Sequence, residues 1–234
     1  MTIITDQLLD FIFDGKSHIL FQPVESWLTS SRRYCDFVDN YKDKIRKKIR
    51  TTQNTETLID LQLELETAYL LLQEQRLSLV YEPGLAEKVR RPDFAVSYTT
   101  SLTFMIEVTR VRVNQPNIDA QLMDPIFSKL GQLLPKHSNI LIIGIDKINF
   151  TSVELAECLI RFQRRIEQED RVFLNKYGFR DRSEFFQQHQ RLSEIVIRES
   201  IPNTKPGAVA WINPQARQPL PSKARTALYR SHAV

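Results

Sequence analysis

Seven residues, Asn139 to Ile145 (NILIIGI), constrain the architecture of this chain more than any other stretch. After the first residue every position is apolar or glycine, in a run shorter than most helices and with no polar side chain to turn toward water. A strand of that composition must be buried on both faces, so it predicts a sheet with a helical layer on each side.

The neighbouring sequence supplies those layers. From about Glu56 to Gln75, Leu58, Leu61, Leu65, Ala68 and Leu72 recur at steps of three and four, while Ile59, Leu63 and Leu70 lie opposite. The spacing predicts a helix covered on both sides. Strand signals follow at Leu77 to Tyr81, then a Pro-Gly turn at Pro83 and Gly84, then strands at Pro92 to Tyr98 and Leu102 to Val113, the last ended by Pro116. A helix over Asp119 to Leu134, stopped by Pro135, precedes NILIIGI. The order is α-β-β-β-α-β, and a mixed central sheet flanked by helices buries all of these faces.

Residues 1–50 read as a helical N-terminal extension, with Leu8, Leu9, Phe11, Ile12, Trp27, Tyr34, Phe37 and Tyr41 at helical spacings. Polar Thr51 to Thr55 is a capping-prone break, and residues 51–234 form the main domain, with its core at about 56–146. After Thr151 a helix near Val153 to Glu167 and a polar helix over Ser183 to His189 are expected. Short strands at Leu192 to Ile197 and Ala208 to Ile212 complete an α/β C-terminal elaboration, and Trp211 to Pro214 reads as a strand leaving into a turn.

Composition bounds the function. The chain has 234 residues, 42% hydrophobic and 26% charged, enough for one substantial core. Cys35 and Cys158 are far apart and match no metal-finger spacing, so both are expected as reduced packing residues. The opening MTIITDQLLDFIFD is broken by Asp6, Asp10 and Asp14, which argues against a signal peptide or membrane span. The expectation is a soluble, cytoplasmic protein without a membrane partner. His18, His137, His189 and His232 form no ligand pattern and are expected at the surface.

The net charge of +4 is unevenly spread. Lys42, Lys44, Arg46, Lys47, Lys48 and Arg50 form a cluster opposed locally only by Asp43, and after Glu199 the chain has basic residues but no acidic ones. Such positive charge attracts polyphosphates, making the cluster a candidate nucleic-acid contact. A solvated helix face and a basic tail are the plainer alternative.

The chemistry centres on two carboxylates. Along Leu102 to Val113 side chains alternate, so Met105, Glu107 and Thr109 share one face. If this strand pairs with the preceding one, Asp93 and Glu107 converge, and two buried acids repel unless a cation neutralises them. An oxygen-rich site of this kind suits Mg²⁺ or Mn²⁺. Glu64 borders the apolar stripe of the first long helix and can complete or orient the set, whereas Glu66 is on the other side. The plainer alternatives are a cross-strand ion pair for Glu107 and an edge-of-face charge for Glu64.

The series LELETAYLL, RRPDFAV, MIEVT, SKLGQLL and NILIIGID resembles the PD-(D/E)XK, or restriction-endonuclease-like, nuclease superfamily over roughly residues 56–146. Pro92-Asp93 matches the first half of the motif and Glu107-Val108-Thr109 the second. The resemblance implies a restriction-endonuclease-like core, metal ligation by Asp93, Glu107 and the Val108 carbonyl, and a supporting acid at Glu64. It implies hydrolysis of phosphodiesters with Mg or Mn, on nucleic acid with DNA ranked ahead of RNA, and cutting two strands is compatible with a homodimer or larger complex. Thr109 departs from the pattern, since the superfamily carries lysine there. Lys129 and Gln132, three apart on the following helix, are the expected replacements, in the manner of superfamily variants whose lysine has migrated; a solvated lysine that covers apolar neighbours is the alternative for Lys129. Arg110 and Arg112, on the opposite strand face, are poorer candidates. A catalytically inactive nuclease fold, serving as a nucleic-acid-binding or assembly module, is the competing reading.

Overall fold

The computed structural model describes residues 2–52, 54–84, 91–111, 118–199 and 207–232. The expected strand end at Pro116, Arg112, and Lys205 of the basic tail lie outside them. Nine helices and six strands alternate among the described residues. They are α1 (Thr2–Phe13), α2 (Phe21–Ser30), α3 (Arg32–Thr51), α4 (Thr55–Gln73), β1 (Leu77–Tyr81), β2 (Phe94–Tyr98), β3 (Leu102–Arg110), α5 (Ile118–Leu130) and β4 (Asn139–Ile145). There follow α6 (Ser152–Glu167), α7 (Arg171–Lys176), α8 (Arg182–His189), β5 (Leu192–Glu199), β6 (Ala208–Ile212) and α9 (Ser222–His232).

The strands form one mixed sheet in chain order, β1 to β6. The first three are antiparallel, β3, β4 and β5 run parallel, and β6 returns antiparallel to β5. All of β4 is buried, as NILIIGI requires. Its Ile140 and Ile142 join one core with Phe104, Ile106, Val108 and Val196, covered by α1 to α4 and α9. Its Leu141, Ile143 and Ile145 join another with Ile195 and Ile197, covered by α5 to α8. The result is an α/β fold of three layers. No helix among the described residues is long and apolar enough to cross a membrane.

Helix boundaries follow local chemistry. The Ser31 side chain accepts from the Tyr34 N–H at the start of α3, and Asn54 from that of Glu56 at the start of α4. Thr151 and Glu154 form a reciprocal capping box on α6. Helix α3 is also bound to the sheet edge: Arg33 donates to the Leu77 carbonyl and Lys44 to that of Tyr81 at 3.2 Å. Those carbonyls lie on β1, an edge strand, and their occupation blunts an edge that would otherwise pair with another chain. The N-terminal helices therefore share the main core instead of forming an appendage.

Three expectations are corrected. Helix α5 stops at Leu130, before Gly131, not at Pro135. The basic tail folds back as α9, whose apolar face is built from Ala224, Ala227 and Leu228 rather than from large residues. His189 and His232 are buried, not at the surface. Cys35 and Cys158 are buried free thiols, as expected.

Packing of α4 and α9 onto the sheet also explains two charges that β5 sends into the core. Glu194 and Arg198 flank Val196 on that face. Arg198 pairs with Glu66 of α4 at 2.6 Å, while Glu194 accepts from Arg225 at 2.5 Å and from the Tyr229 hydroxyl at 2.9 Å. Removing one partner of a buried pair strands the other. Burial already pushes the Glu194 carboxyl up, against the pull of Arg225, so it can escape by taking a proton. Arg225→Ala is accordingly expected to cost about 2 kcal/mol, below the ~3–5 kcal/mol usual for a stranded buried charge. Denaturant titration of the two proteins at pH 7.5 and pH 5 checks this, with the smaller loss at the lower pH.

Candidate functional site

The site arises where β3 continues past the first residue of its antiparallel neighbour β2. The β2–β3 ladder has Phe94 opposite Ile106, so Asp93, just before β2, lies beside Glu107. Strand β3 runs on to Arg110. With no β2 residue left to pair with, the Val108 N–H donates instead to Asp93 Oδ2 at 2.7 Å. The Asp93 carbonyl accepts from the Glu82 N–H at 2.8 Å, at the end of β1, so this residue is held through both main chain and side chain.

Glu107 is only 3% exposed. Lys129, in the last turn of α5, places its Nζ 3.0 Å from Glu107 Oε2. Glu64 comes from α4 on the other face of the sheet. Its Oε1 receives Lys48 Nζ at 2.7 Å, and the same ammonium lies 2.6 Å from Glu82 Oε1. Around these groups opens a pocket of about 230 Å³, lined by Asp60, Leu63, Glu64, Asp93, Val108, Thr109 and Lys129. Glu107 is behind the lining, reached through Lys129.

Crowding shows in the acidities. Burial, and then the Glu107 charge, push the Asp93 carboxyl up to about 6, against the pull of Lys129, the Val108 N–H and Lys48. Burial and then Asp93 push Glu64 up, against Lys48. Lys48 is lowered by burial but raised more by Glu64 and Glu82, so it stays firmly cationic. Asp93 thus senses carboxylates on both sides.

Of the residues singled out in the sequence, Asp93, Glu107, Val108, Glu64 and Lys129 come together. Gln132 does not: it lies beyond the end of α5, and its amide donates to the Ser128 carbonyl at 3.0 Å. The spacing argument that paired it with Lys129 needs a helix that continues past Gly131. Arg110 faces α4, where it pairs with Glu56 and with Asp60 at 3.2 Å.

The basic cluster is placed differently from its reading as a nucleic-acid grip. Lys42 pairs with Asp39, Lys44 with Glu82, Arg46 and Arg50 with Asp14, and Lys48 with Glu64 and Glu82. Lys47 is exposed. Asp39 of the same helix pairs with Lys42, while Asp14 just after α1, Glu64 of α4 and Glu82 at the end of β1 supply the opposition that the local sequence lacks. Sequence reasoning missed Lys48 and Glu82 as parts of the site; the one available signal was that Lys44 and Lys48 share a helix face at i, i+4.

The donor set can be tested against a divalent ion. Among the described residues no three His, Cys, Asp or Glu side chains are grouped to hold a metal. Mg²⁺ does not need three, because it keeps several waters and binds through one or two carboxylates. Asp93, Glu107 and the Val108 carbonyl provide only hard oxygen donors. In a strand a residue's C=O points to the same edge as its N–H, and the Val108 N–H points at Asp93. The Asp93 carboxyl is raised by burial first and by the Glu107 charge second, and a cation would relieve the second. These residues fit Mg²⁺ or Mn²⁺. No family model, curated protein or solved structure matches the chain.

Proposed function

We propose that the chain is a restriction-endonuclease-like, Mg²⁺- or Mn²⁺-dependent phosphodiesterase acting on nucleic acid in the cytoplasm, with DNA ahead of RNA. The observation that carries this reading is Lys129. Lys129, from a separate helix, has its Nζ 3.0 Å from Glu107 and lies in the wall of the pocket that Asp93 and Glu64 share, which supports its standing in for a lysine at position 109. The α4-β1-β2-β3-α5-β4 order supports it as well.

Asp93, Glu107 and the Val108 carbonyl would hold the ion. When bound, it supplies Lewis-acid polarisation of the phosphoryl group and activation of water. Lys129 adds fixed positive charge where negative charge grows at phosphorus, and its pairing with Glu107 orients it before substrate arrives. Glu64, a pocket-facing carboxylate whose pKa is raised by burial and then by Asp93, is suited to take the proton that water loses as its oxygen bonds to phosphorus. The ester P–O bond breaks as that bond forms, and the leaving oxygen collects a proton. Thr109 can offer a hydrogen bond but no charge.

Contacts to the phosphate backbone would fall on the exposed part of α3. The Lys42–Asp39 and Arg50–Asp14 pairs are surface pairs worth about 0–1 kcal/mol, so a phosphate can displace the acid. A second reading, a nuclease fold without turnover, is favoured by one observation: each of Glu64, Asp93 and Glu107 already has a lysine or N–H partner.

Titrating Mn²⁺ calorimetrically into the protein, with plasmid and single-stranded DNA cleavage followed in parallel, separates the two. Binding and cleavage are both expected in the wild type. Asp93→Ala is expected to abolish binding and lower cleavage at least ~10³-fold, and Lys129→Met to lower cleavage ~10²-fold with binding retained, magnitudes usual for lost electrostatic stabilisation. A folded wild type that neither binds Mn²⁺ nor cleaves would leave the non-catalytic module.

A further inference from the structure

Lys48 stands in an unusual place for a residue of an N-terminal helix. It is the only member of the α3 cluster among the described residues that reaches Glu64, and it joins three elements at one ammonium: α3 itself, α4 through Glu64 and the end of β1 through Glu82. Its Nζ lies over the Tyr81 ring, 4.7 Å from the centroid. Unlike the exposed pairs of the same helix, this bridge is shielded: the Lys48 side chain is 29% exposed and that of Glu64 14%. The Glu82 N–H holds the Asp93 carbonyl, so the bridge is tied through one residue to the Asp93 main chain.

The bridge also bears on why the acids do not gather. Glu64 lines the same pocket as Asp93, yet no third carboxylate joins Asp93 and Glu107 in a ligand group among the described residues. Lys48 holds Glu64 by Oε1 at 2.7 Å, on the α3 side.

We infer that Lys48 is a positioning residue that withholds Glu64 from the metal ligand set and keeps it as a carboxylate facing the pocket, which makes the N-terminal helical layer part of the site. This inference rests on the metal-dependent reading proposed above. The division of labour is chemical. A carboxylate bound directly to a divalent ion is a poor acceptor for water's proton, whereas one held beside the ion by an ammonium remains available. Outer groups of this type orient a metal site without ligating it.

The test uses the full chain with Mn²⁺ as the probe. Lys48→Met keeps an unbranched side chain and removes the charge, and Lys48→Gln keeps a donor for Glu64 without charge. Freed from its anchor, Glu64 is expected to swing to the ion, so Lys48→Met binds Mn²⁺ about tenfold tighter, or 1.4 kcal/mol. Cleavage falls in the same variant, and Lys48→Arg returns affinity to within about threefold of wild type. In a Glu64→Gln background, Lys48→Met is expected to change Mn²⁺ affinity less than about threefold, because no carboxylate remains to be released. A merely structural role for Lys48 would weaken binding in proportion to lost stability and would not depend on Glu64. Circular dichroism confirms that each variant is folded, and Lys48→Gln replaces Lys48→Met if the latter is not. Unchanged or weaker Mn²⁺ affinity in the folded variant, with Asp93→Ala still abolishing binding in a parallel titration, overturns the inference and leaves the metal site standing. Absence of Mn²⁺ binding in the wild type overturns both.

Discussion

His189 and His232 are together expected to withdraw about 5 kcal/mol of stability between pH 7 and pH 4.5, taking ~1.4 kcal/mol per pH unit for each group below its unfolded value. Burial pushes the His189 imidazole down to about 4; it stacks on Phe185, with Trp211 and Gln163 as its other neighbours. Burial, and then the Arg198 charge, push His232 down to about 3, while its Nδ1 lies 2.8 Å from Ser231 Oγ and 3.2 Å from the Leu228 carbonyl. Both fold neutral. In the unfolded chain each takes a proton below pH 6.5, so their stabilisation is fully present above that value and is lost as pH falls toward the folded values. A domain of ordinary stability, ~5–15 kcal/mol, has little left at the acid end. Urea midpoints at pH 7, 5.5 and 4.5 test this. His189→Gln and His232→Gln are each expected to flatten the profile by about 1.4 kcal/mol per pH unit, whatever they do to stability at pH 7. A slope unchanged in both would assign the acid sensitivity to other groups.

These histidines also mark a limit of sequence reading. Their neighbours in sequence are polar, and a local view puts them at the surface; they are buried because α8 and α9 pack onto the sheet. Where periodicity is local it was sufficient. NILIIGI coincides with β4 to the residue, the helix expected at Val153 to Glu167 is α6 within one residue, and Ala208 to Ile212 is β6. Helix α9 escaped because its buried stripe is made of alanines, which carry little hydrophobic signal beside Lys223, Arg225 and Arg230. Helix α7, only six residues long and capped by Asp170, is too short for its period to register.

The site divides in the same way. Asp93, Glu107 and Lys129 could be brought together on paper because strand alternation and helix spacing fix their directions. Three features could not. That Val108 donates to Asp93 depends on β2 beginning one residue after Asp93, that Gln132 misses the pocket depends on where α5 stops, and that Lys48 reaches Glu64 depends on how α3 packs on α4. Each is a tertiary fact about residues 15 to 16 apart, or about a helix end. The same applies to most of the basic cluster: apart from Asp39, which pairs with Lys42, its opposing acids Asp14, Glu64 and Glu82 are distant in sequence.

Asp93→Asn is expected to make the protein more stable at pH 8, by about 3 kcal/mol, while removing its metal-dependent activity. The carboxyl is raised to about 6 from an unperturbed value near 3.8, roughly two units at ~1.4 kcal/mol each. Because the value is raised, the contribution of this group to folding is fully present below the unfolded value and is lost as pH rises through about 6. At pH 8 the wild type therefore carries a buried charge next to Glu107 that the amide does not. Asparagine still offers an oxygen to the Val108 N–H, so the strand junction survives. For a chain of this length the gain corresponds to roughly 6–12 °C in Tm. It should shrink to about 0.5 kcal/mol by pH 4, where the folded wild-type carboxyl is protonated and the unfolded one about half so. Mn²⁺ supplies the decisive comparison. An ion at one hundred times its Kd adds about 2.7 kcal/mol to the wild type alone, closing the gap at pH 8. Thermal melts of both proteins, with and without Mn²⁺, at pH 8 and pH 4 give the answer. A gap that is present at pH 8 and unmoved by Mn²⁺ would mean that the repulsion at Asp93 and Glu107 is real but that no metal ion relieves it. The raised pKa of Asp93 would then be a strain of the fold, and the phosphodiesterase reading would lose its chemical basis.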